Sequence, residues 1–270
     1  MSPILIENTV QIPEGEILEI QKEVEIVCDE NKNVDVACFL VHGNLKVNQK
    51  VKIEANNRIL VSANDAPGGF VDIDSAEISG AFTLFNAPGT ESFSFSVVNS
   101  ILSNISRAST LNRIWNKDLI LRNNTFIDAS GFYFGGNQPD VMVRRNIFIE
   151  KNKFISKQTT DSPWIELNYI VTNYSTKPAG YTLPAFGDGM TIKNNSFLSG
   201  GIIVEVKSSK RNCSWDPCNI VDLSKNFWDT NDINKINEYI LDYNDSIALA
   251  GPLNFIPILQ EPHSDVGHNH

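Results

Sequence analysis

The stretch LILRNNTF, residues 119–126, decides the fold, because three later stretches repeat its pattern. Each reads apolar-x-apolar-x-x-Asn-x-aromatic, and the copies are IFIEKNKF (147–154), MTIKNNSF (190–197) and VDLSKNFW (221–228). A pattern that returns at a period of roughly 20–50 residues indicates a solenoid, in which similar coils stack along one axis.

Each repeat carries the local signals of a strand followed by a tight bend. Its apolar residues alternate, as Leu119 and Leu121 do, which is the period of a half-buried strand and not of a helix. Asparagine tolerates the left-handed backbone region and therefore suits a tight bend between two strands. Stacked bends would let the asparagines hydrogen-bond as a ladder along the axis. The repeated asparagines are Asn124, Asn152, Asn195 and Asn226.

The spacing of the repeats separates regular coils from one long insertion. FSVVNSIL (95–102) and VDIDSAEI (71–78) fit the frame with Ser100 and Ala76 in the Asn position, so the first two steps are 24 residues each. The later steps are 28, 43 and 31 residues. Extra residues in a solenoid coil leave as loops, which often gather on a binding face. The longest step therefore predicts a long loop insertion near residues 156–188.

The repeats from Val71 to Trp228 resemble the right-handed parallel β-helix of pectate lyases, phage tailspikes and related surface proteins. The block from 226 to 262 is similar to the closing segment of many β-helix repeat proteins, which has an aromatic-rich last rung, a short helix and a strand. Asp229 stands where that family usually has glycine. The resemblance implies an all-β fold, a right-handed parallel β-helix solenoid with a short C-terminal capping helix.

The sequence predicts four regions along the chain. Residues 1–44 read as an N-terminal cap with the first strands, 45–228 as β-helix rungs, 229–262 as a C-terminal helix–strand cap, and 263–270 as a disordered tail. Asp229 to Asp232 supply candidate N-caps for the helix. The apolar face predicted for that helix consists of Ile233, Ile236, Ile240 and Tyr243.

Charge and hydropathy exclude several classes of partner. The net charge is −10 and no basic run occurs, which argues against binding to nucleic acid or to anionic membranes. No apolar run approaches the roughly 18 residues that cross a bilayer, so we expect no membrane insertion. No signal-peptide pattern is visible, which leaves a mature chain, cytoplasmic synthesis or another export route open. We expect an extracellular or virion-associated protein, since a virion protein released by lysis needs no signal.

The four cysteines leave two states open. Cys28 and Cys38 could pair across a hairpin, and Cys213 and Cys218 could close a loop with a second disulfide. The alternative is four buried thiols, because free cysteine is among the most buried residue types. A zinc site is the weakest option, since the spacing lacks paired CxxC units, and no metal ligand is assigned.

Stacking the rungs aligns their outward residues in two columns that contain the candidate catalytic groups. The first column contains Asp72, Ser96, Ile120, Phe148, Thr191 and Asp222, and the second contains Asp74, Val98, Arg122, Glu150, Lys193 and Ser224. Because neighbouring rungs lie ~4.8 Å apart, Arg122, Glu150 and Lys193 should form an ion-pair ladder. Asp72 and Asp74 have a separation within the range of an inverting glycosidase pair, although acidic residues are ordinary on solvated strands. The motifs of polygalacturonase-like hydrolases are absent, so no catalytic residue is assigned.

The long insertion holds the candidate ligand-binding residues. They are Trp164, Tyr169, Tyr174, Tyr181 and Phe186, set among Ser, Thr, Pro and Gly. Aromatic side chains on loops offer flat apolar faces with a polar edge, suited to stacking on pyranose rings and to protein interfaces. The alternative is that these aromatic residues form a small satellite core beneath the loop.

These patterns favour a non-catalytic surface or virion-type module that recognises a polysaccharide, a surface glycan or a protein partner, as in a tail fibre or an adhesin. One alternative is a polysaccharide lyase or glycoside hydrolase of the β-helix type, with calcium as a cofactor in the lyase case. The other alternative is a structural spacer. No other cofactor is expected, and the sequence leaves a homotrimer open.

Overall fold

A computed structural model of the 270-residue chain describes residues 2–21, 23–30, 36–63, 68–87, 93–106, 109–112, 119–129, 132–136, 147–155, 167–171, 190–198, 204–208, 221–238, 240–241 and 253–267. Most regular structure in these residues is β-strand, and the strands pair in parallel sheets. The described chain is therefore a parallel β-solenoid with a single short helix near its C-terminal end, in agreement with the fold class expected from the repeats.

Three sheets form the walls of the solenoid. Sheet A contains β1 (Ile4–Ile6), β4 (Glu25–Cys28), β7 (Lys52–Glu54), β10 (Glu77–Ser79), β13 (Ile101–Ile105), β16 (Thr125–Ala129), β19 (Lys153–Ile155) and β22 (Ser196–Leu198). Sheet B contains β2 (Val10–Ile12), β5 (Ala37–Val41), β8 (Ile59–Ser62), β11 (Thr83–Asn86), β14 (Ser109–Asn112), β17 (Phe132–Gly136), β20 (Leu167–Val171), β23 (Val204–Ser208) and β25 (Ile240–Leu241). Sheet C contains β3 (Ile17–Ile20), β6 (Asn44–Val47), β9 (Gly69–Asp74), β12 (Phe93–Val98), β15 (Leu119–Arg122), β18 (Ile147–Glu150) and β21 (Met190–Lys193). A separate pair joins β24 (Val221–Asp222) to β26 (Leu253–Asn254), and α1 spans Ile233–Glu238.

From β1 to β21, each coil passes through sheet A, then sheet B, then sheet C before the next coil begins. The strand register places equivalent residues above one another, so the apolar alternation of the sequence becomes continuous columns in the core. In sheet A the inward column consists of Ile26, Ile53, Ile78, Leu102, Phe126, Phe154 and Phe197. All of these side chains are buried.

The described bends from sheet C to sheet A share one position in the left-handed backbone region, and Gln49, with φ of 64°, adds a second such residue in one bend. The shared position immediately precedes the ladder position in each coil, with φ between 49° and 61° at Glu23, Lys50, Ser75, Asn99, Asn123, Lys151, Asn194 and Lys225. The prediction that the ladder asparagines themselves take this conformation is wrong. The left-handed turn and the buried hydrogen bonds therefore belong to two neighbouring residues. The ladder residue is buried with its amide bonded to the next coil, whereas the residue before it makes the turn at the surface.

The four ladder asparagines are fully buried and form the predicted ladder. The backbone N–H of Asn124 donates to Asn152 Oδ1 at 2.9 Å, and Asn124 Nδ2 donates to the same oxygen at 3.1 Å. The same two bonds connect Asn152 to Asn195 and Asn195 to Asn226. Ser100 extends the ladder by one coil, since its N–H donates to Asn124 Oδ1 at 3.0 Å.

The aromatic residues two positions after the ladder form a stack inside the solenoid. Ring centroids are 4.8 Å apart between Phe126 and Phe154, 5.1 Å between Phe154 and Phe197, and 4.7 Å between Phe197 and Trp228. All four side chains are buried. The repeat therefore supplies two parallel supports, the predicted polar ladder at the bend and an aromatic stack beside it.

The helix begins with the N-cap that the sequence offered. Asp232 Oδ1 accepts a hydrogen bond from the backbone N–H of Asn234 at 2.9 Å, which satisfies one of the free donors of the first turn. Asp229 has φ of 57°. An aspartate thus takes the left-handed conformation at the position where the resembled family has glycine, and aspartate is one of the few residues that tolerates it.

The helix is shorter than predicted. Ile236 is buried, whereas Ile233 is partly exposed, and the helix ends at Glu238. Ile240 does not continue the helical face, because it lies in β25 and pairs with Val204; Tyr243 lies outside the described residues. The described residues contain no helix that is long and apolar enough to cross a membrane.

The C-terminal segment 256–267 returns along the outside of the bends. The Leu259 N–H donates to the carbonyl of Asn226 at 3.0 Å, and the Gly267 N–H donates to the carbonyl of Lys151 at 2.9 Å. Val266 and Gly267 are buried. Residues 263–267 therefore differ from the predicted disordered tail, because a small apolar residue and a glycine fit against the coils; residues 268–270 lie outside the described part.

The N-terminal strands are part of the solenoid. Strands β1, β2 and β3 pair in parallel with β4, β5 and β6, so they make the first described coil of the three sheets. Residues 1–44, predicted to be an N-terminal cap with the first strands, therefore include strands of all three sheets. Likewise, β20 places Leu167–Val171 in sheet B, within the segment 156–188 that was expected to be a loop insertion.

Cys28 and Cys38 form a disulfide with a Cα–Cα distance of 6.0 Å. Both cysteines are fully buried, and the bond joins the end of β4 in sheet A to β5 in sheet B. The disulfide alternative is therefore the correct one for this pair. Cys213 and Cys218 lie outside the described residues, and their state stays a prediction.

Replacing Gly267 by alanine is expected to release the C-terminal segment. Gly267 has φ of +82°, and an added Cβ would lie 2.8 Å from both Lys153 Cβ and Thr125 Oγ1. Gly15→Ala is the matched control, since Gly15 has φ of +79° but no atom within 4 Å of the added Cβ. The control should lower the free energy of unfolding by about 1–2 kcal/mol, the cost of the left-handed conformation. Gly267→Ala should lower it further and speed proteolysis after Leu259; equal effects of the two variants would show that the segment is not held at Gly267.

Candidate functional site

The described part of the chain includes only one of the five aromatic residues of the insertion that were predicted to bind a ligand. Trp164, Tyr174, Tyr181 and Phe186 lie outside the described part of the chain. Tyr169 lies in β20, where its backbone is in register with Phe134 and Val206 of the neighbouring strands of sheet B. Tyr169 therefore belongs to a wall of the solenoid. The binding role of the other four residues stays a prediction.

The outward columns of sheet C follow the predicted register over most of their length. Strand pairing aligns Asp72, Ser96, Ile120, Phe148 and Thr191 in one column, and Asp74, Val98, Arg122, Glu150 and Lys193 in the other. Arg122 Nη2 lies 3.2 Å from Glu150 Oε2, which confirms this step of the ion-pair ladder. Asp222 departs from the first column, because its strand β24 pairs with β26 and aligns Asp222 with Asn254.

Asp72 and Asp74 have different surroundings. The carboxylate of Asp74 accepts hydrogen bonds from Ser75 Oγ and from Asn99 Nδ2, both at 2.9 Å. These bonds fix Asp74 to the bend between sheets C and A. Asp72 is in register with Lys46 on one side and Ser96 on the other. The geometry therefore explains Asp74 as a structural acceptor of the bend, and it gives no ground for assigning the two residues as an acid–base pair.

A concave site lies on the outer face of sheet A, and we call it the sheet A depression. Its volume is about 260 Å³, and strands β4, β7, β10 and β13 form its floor. The polar and apolar groups that line it include Glu25, Lys52, Glu54, Glu77, Ser79, Ile101 and Ser103. The site is thus built from side chains on consecutive, regularly paired strands.

Two adjacent outward columns carry the charged and hydroxyl groups of the sheet A depression. Glu25, Lys52 and Glu77 align in the first column, and Lys52 Nζ lies 2.9 Å from Glu77 Oε2. The second column lies two residues further along each strand, roughly 7 Å away, and carries Glu54 beside Ser79. The site therefore presents a cation, carboxylates and a hydroxyl on a fixed grid.

The ion pair in the sheet A depression is retained at neutral pH. The hydrogen bond from Lys52 to Glu77, followed by the charge of Glu77, raises the pKa of Lys52 above its usual range. Because its pKa is raised in the folded state, the charged Lys52 ammonium contributes stability that is lost as the pH rises through the folded value. The depression can thus donate through an ammonium and hydroxyls and accept through carboxylates.

The sheet A depression was not predicted from the sequence, because the predicted columns contain the outward residues before each bend. Those residues lie on the outer face of sheet C, whereas the depression begins at the first outward residue after each bend, on sheet A. A signal was present in the sequence: Lys52 and Glu77 each follow a ladder position directly, and Glu25 occupies the same register in the coil before them. Opposite charges in consecutive coils at one frame position would have indicated this surface.

Neither the described side chains nor comparisons with known proteins identify a metal site or a family. Within the described ranges, no group of three or more His, Cys, Asp or Glu side chains is placed to hold a metal ion. In comparisons with known proteins, no family model and no solved structure gave a significant match to this chain. The assignment to the β-solenoid class therefore rests on the strand pairing and on the ladder described above.

Proposed function

We propose that this chain is a non-catalytic recognition module of the surface or virion type, which binds a glycan in the sheet A depression. The observation that carries the proposal is the arrangement of donors and acceptors on four consecutive strands. Parallel strands hold these groups at fixed spacing, so binding a ligand requires little ordering of the protein. Sugar hydroxyls both donate and accept, and they can pair with the carboxylates, hydroxyls and ammonium of this site.

The size of the sheet A depression suits a small unit of a glycan. Its volume of about 260 Å³ lies just below the roughly 300–1,000 Å³ typical of small-molecule sites. A single sugar residue or the end of a glycan chain fits this volume better than a long segment. Ile101 follows Glu77 in the first outward column and supplies an apolar surface for the carbon–hydrogen face of a sugar ring.

The charge of the site supports a neutral or amine-bearing glycan. Three carboxylates, those of Glu25, Glu54 and Glu77, surround the single ammonium of Lys52. The whole chain carries a net charge of −10, so a polysaccharide rich in uronic acids would be repelled. The proposed ligand class is therefore a glycan without carboxylates, and glycans with free amino groups should bind best.

The buried disulfide supports a location outside reducing compartments. Disulfides form and persist in secreted proteins, in the periplasm and on virion or cell surfaces, and they are rare in the cytosol. The bond between Cys28 and Cys38 lies in the coils next to the sheet A depression. The proposal therefore includes an extracellular or virion-associated location of the protein.

Filling the sheet A depression is expected to abolish glycan binding. Ser79→Phe places a large ring on its floor, whereas Ser94→Phe places the same ring on the outer face of sheet C as a matched control. On an array of neutral, amino and acidic glycans, the control should bind as the unmodified protein does, and Ser79→Phe should bind at least tenfold more weakly. Equal binding by both variants would place the ligand elsewhere and overturn the proposed site.

A separate assay tests the non-catalytic part of the proposal. The protein should release no reducing ends and no unsaturated sugar products from a broad polysaccharide panel, with or without calcium. Product formation that depends on protein concentration would overturn the non-catalytic reading. Repeating the reaction with Ser79→Phe would then show whether the sheet A depression takes part in it.

A further inference from the structure

One outward column of sheet A leads from the sheet A depression to beneath the C-terminal segment. The strand register places Ile101, which lines the depression, beside Thr125, and it places Thr125 beside Lys153. The column continues through Ser196 to Phe227. Ile101 is half-buried, whereas Thr125, Ser196 and Phe227 are buried. The column is therefore open at the depression and covered along most of its length beyond Ile101.

The C-terminal segment provides this cover. The Leu259 N–H donates to the Asn226 carbonyl at 3.0 Å. The Gly267 N–H donates to the Lys151 carbonyl, two coils earlier, at 2.9 Å. The coil of Ser196 lies between these two attachments, so the segment crosses it. Gly267 fits so closely that an added Cβ would lie 2.8 Å from side-chain atoms of the coils beneath it.

The cover leaves a buried hydroxyl group without a hydrogen bond. Ser196 is 1% exposed, and its Oγ has no hydrogen-bond partner among the described residues. Burying an unpaired hydroxyl costs free energy, so buried hydroxyls in native proteins are normally paired. Lys153 lies beside Ser196 in the register, and no carboxylate of the described chain forms an ion pair with its ammonium. The covered column thus holds a hydroxyl and an ammonium that could both donate to one ligand.

The coils beneath the C-terminal segment are richer in lysine than in acidic residues. The last three repeat stretches of the sequence contain four lysines and two acidic residues. One of these acidic residues, Glu150, is already paired with Arg122. The segment itself contributes Glu261 and Asp265, which are both exposed. Displacing the segment would remove these two carboxylates and leave a locally positive surface on a chain whose net charge is −10.

We propose that the C-terminal segment is a releasable cover, and that its release opens a site for the acidic group of a glycan next to the sheet A depression. Lys153 Nζ and Ser196 Oγ would both donate to an oxygen of that group, and hydrogen bonds between charged partners are the stronger ones. The closed form, with the segment in place, binds neutral or amine-bearing glycans, and the released form also binds acidic ones. The inference rests on the proposed function only for the class of ligand.

Ser196→Ala tests the unpaired hydroxyl in the closed form. Because alanine removes a hydroxyl that has no partner, the variant should melt at the same temperature as the unmodified chain or higher. Ser100→Ala is the matched control, since Ser100 is also buried but accepts from the Ala76 N–H at 3.1 Å and donates to the Val98 carbonyl at 2.7 Å. The control should melt at a lower temperature. Equal lowering by both variants would show that Ser196 is satisfied in the closed form and would overturn the proposal.

A combined Val266→Ser and Gly267→Ala variant should release the C-terminal segment. It removes a buried apolar side chain and places a Cβ where the coils leave no room for one. Hydrogen exchange at residues 259–267 should be faster than in the unmodified chain. Gly15→Ala, which strains a glycine with open space around it, is the control and should leave this exchange unchanged. Unchanged exchange in the combined variant would show that the segment is not a releasable cover.

Two oligosaccharides then probe the opened site: hexagalacturonate, and the same hexasaccharide with its carboxylates reduced to alcohols. At about 0.15 M salt, where distant charges are screened, the release variant should bind hexagalacturonate at least about tenfold more tightly than the unmodified chain does. The reduced hexasaccharide should show no such gain. Adding Lys153→Gln should remove the gain, whereas Lys235→Gln, at an exposed position on α1, should retain it.

Three results of this comparison would overturn the proposed site. They are a released segment without a gain, an equal gain for both hexasaccharides, and a gain that survives Lys153→Gln. Failure of the proposed glycan binding in the sheet A depression would appear separately, as equal array binding by Ser79→Phe and Ser94→Phe. The hexagalacturonate comparison would still report on Lys153 in that case, so the two failures are distinguishable.

Discussion

Replacing Asn152 by alanine is expected to lower the free energy of unfolding by about 3–5 kcal/mol. Asn152 Oδ1 accepts from the N–H and from Nδ2 of Asn124, and Asn152 Nδ2 donates to the Leu121 carbonyl at 2.7 Å. Truncation leaves these partners buried without the side chain they bond, and each such loss costs roughly 1–3 kcal/mol. Equilibrium urea denaturation followed by circular dichroism measures the change.

Asn152→Asp and Asn234→Ala test the cause of this loss. Aspartate keeps an acceptor for Asn124 but brings a buried negative charge against the oxygens of Leu121 and Asn195, so it should destabilise at least as much at neutral pH. The penalty should shrink as the pH falls and the carboxyl is protonated. Asn234 is exposed on α1, and its replacement by alanine should change stability by less than about 0.5 kcal/mol. Similar losses for Asn152→Ala and Asn234→Ala would mean that the ladder contributes little.

The ladder and the stack could be predicted from the sequence because both follow from local rules. The alternation of apolar residues determines which side of a strand is buried. In each repeat the aromatic residue follows the asparagine at the same interval, as Phe126 follows Asn124, so the two positions mark the bend and the next inward residue. The exact turn residue could not be inferred this way. Asparagine suits both a left-handed bend and a buried amide ladder, and only the three-dimensional register shows that Asn123 does the first and Asn124 the second.

The parts that were not predicted depend on neighbours that are distant in sequence. The first coil has no Asn or aromatic signal, and its strands form because β4, β5 and β6 offer edges to pair with. Gly267 is buried because it meets Lys153 from a much earlier coil, so the C-terminal segment looks polar in sequence and is ordered in the fold.

The candidate site, too, could be predicted only in part from the sequence. The outward register of sheet C followed from the repeat, and the contact between Arg122 and Glu150 was foreseen from it. The sheet A depression required knowing which outward column is concave, a property of the twist and packing of several strands. A column that holds Glu25, Lys52 and Glu77 can be written down from the sequence, but its shape cannot.

The second large effect is expected from Phe154→Ala, which removes the middle ring of the aromatic stack. Phe154 is buried between Phe126 at 4.8 Å and Phe197 at 5.1 Å. Deleting a buried phenylalanine typically costs about 3–5 kcal/mol, and the lost ring–ring contacts belong to that figure. Phe154→Leu should cost less, because leucine fills most of the space. Ile155→Ala, at the partly exposed neighbouring position, should cost about 1 kcal/mol.

The position of Phe154 also predicts where the damage appears. Coils of a solenoid contact mainly their neighbours, so a cavity in one coil should loosen adjacent coils more than distant ones. Hydrogen exchange in Phe154→Ala should therefore accelerate in β16, β19 and β22 and remain near its original rate in β1 and β4. Uniform acceleration across sheet A would instead show that the described coils unfold as one cooperative unit.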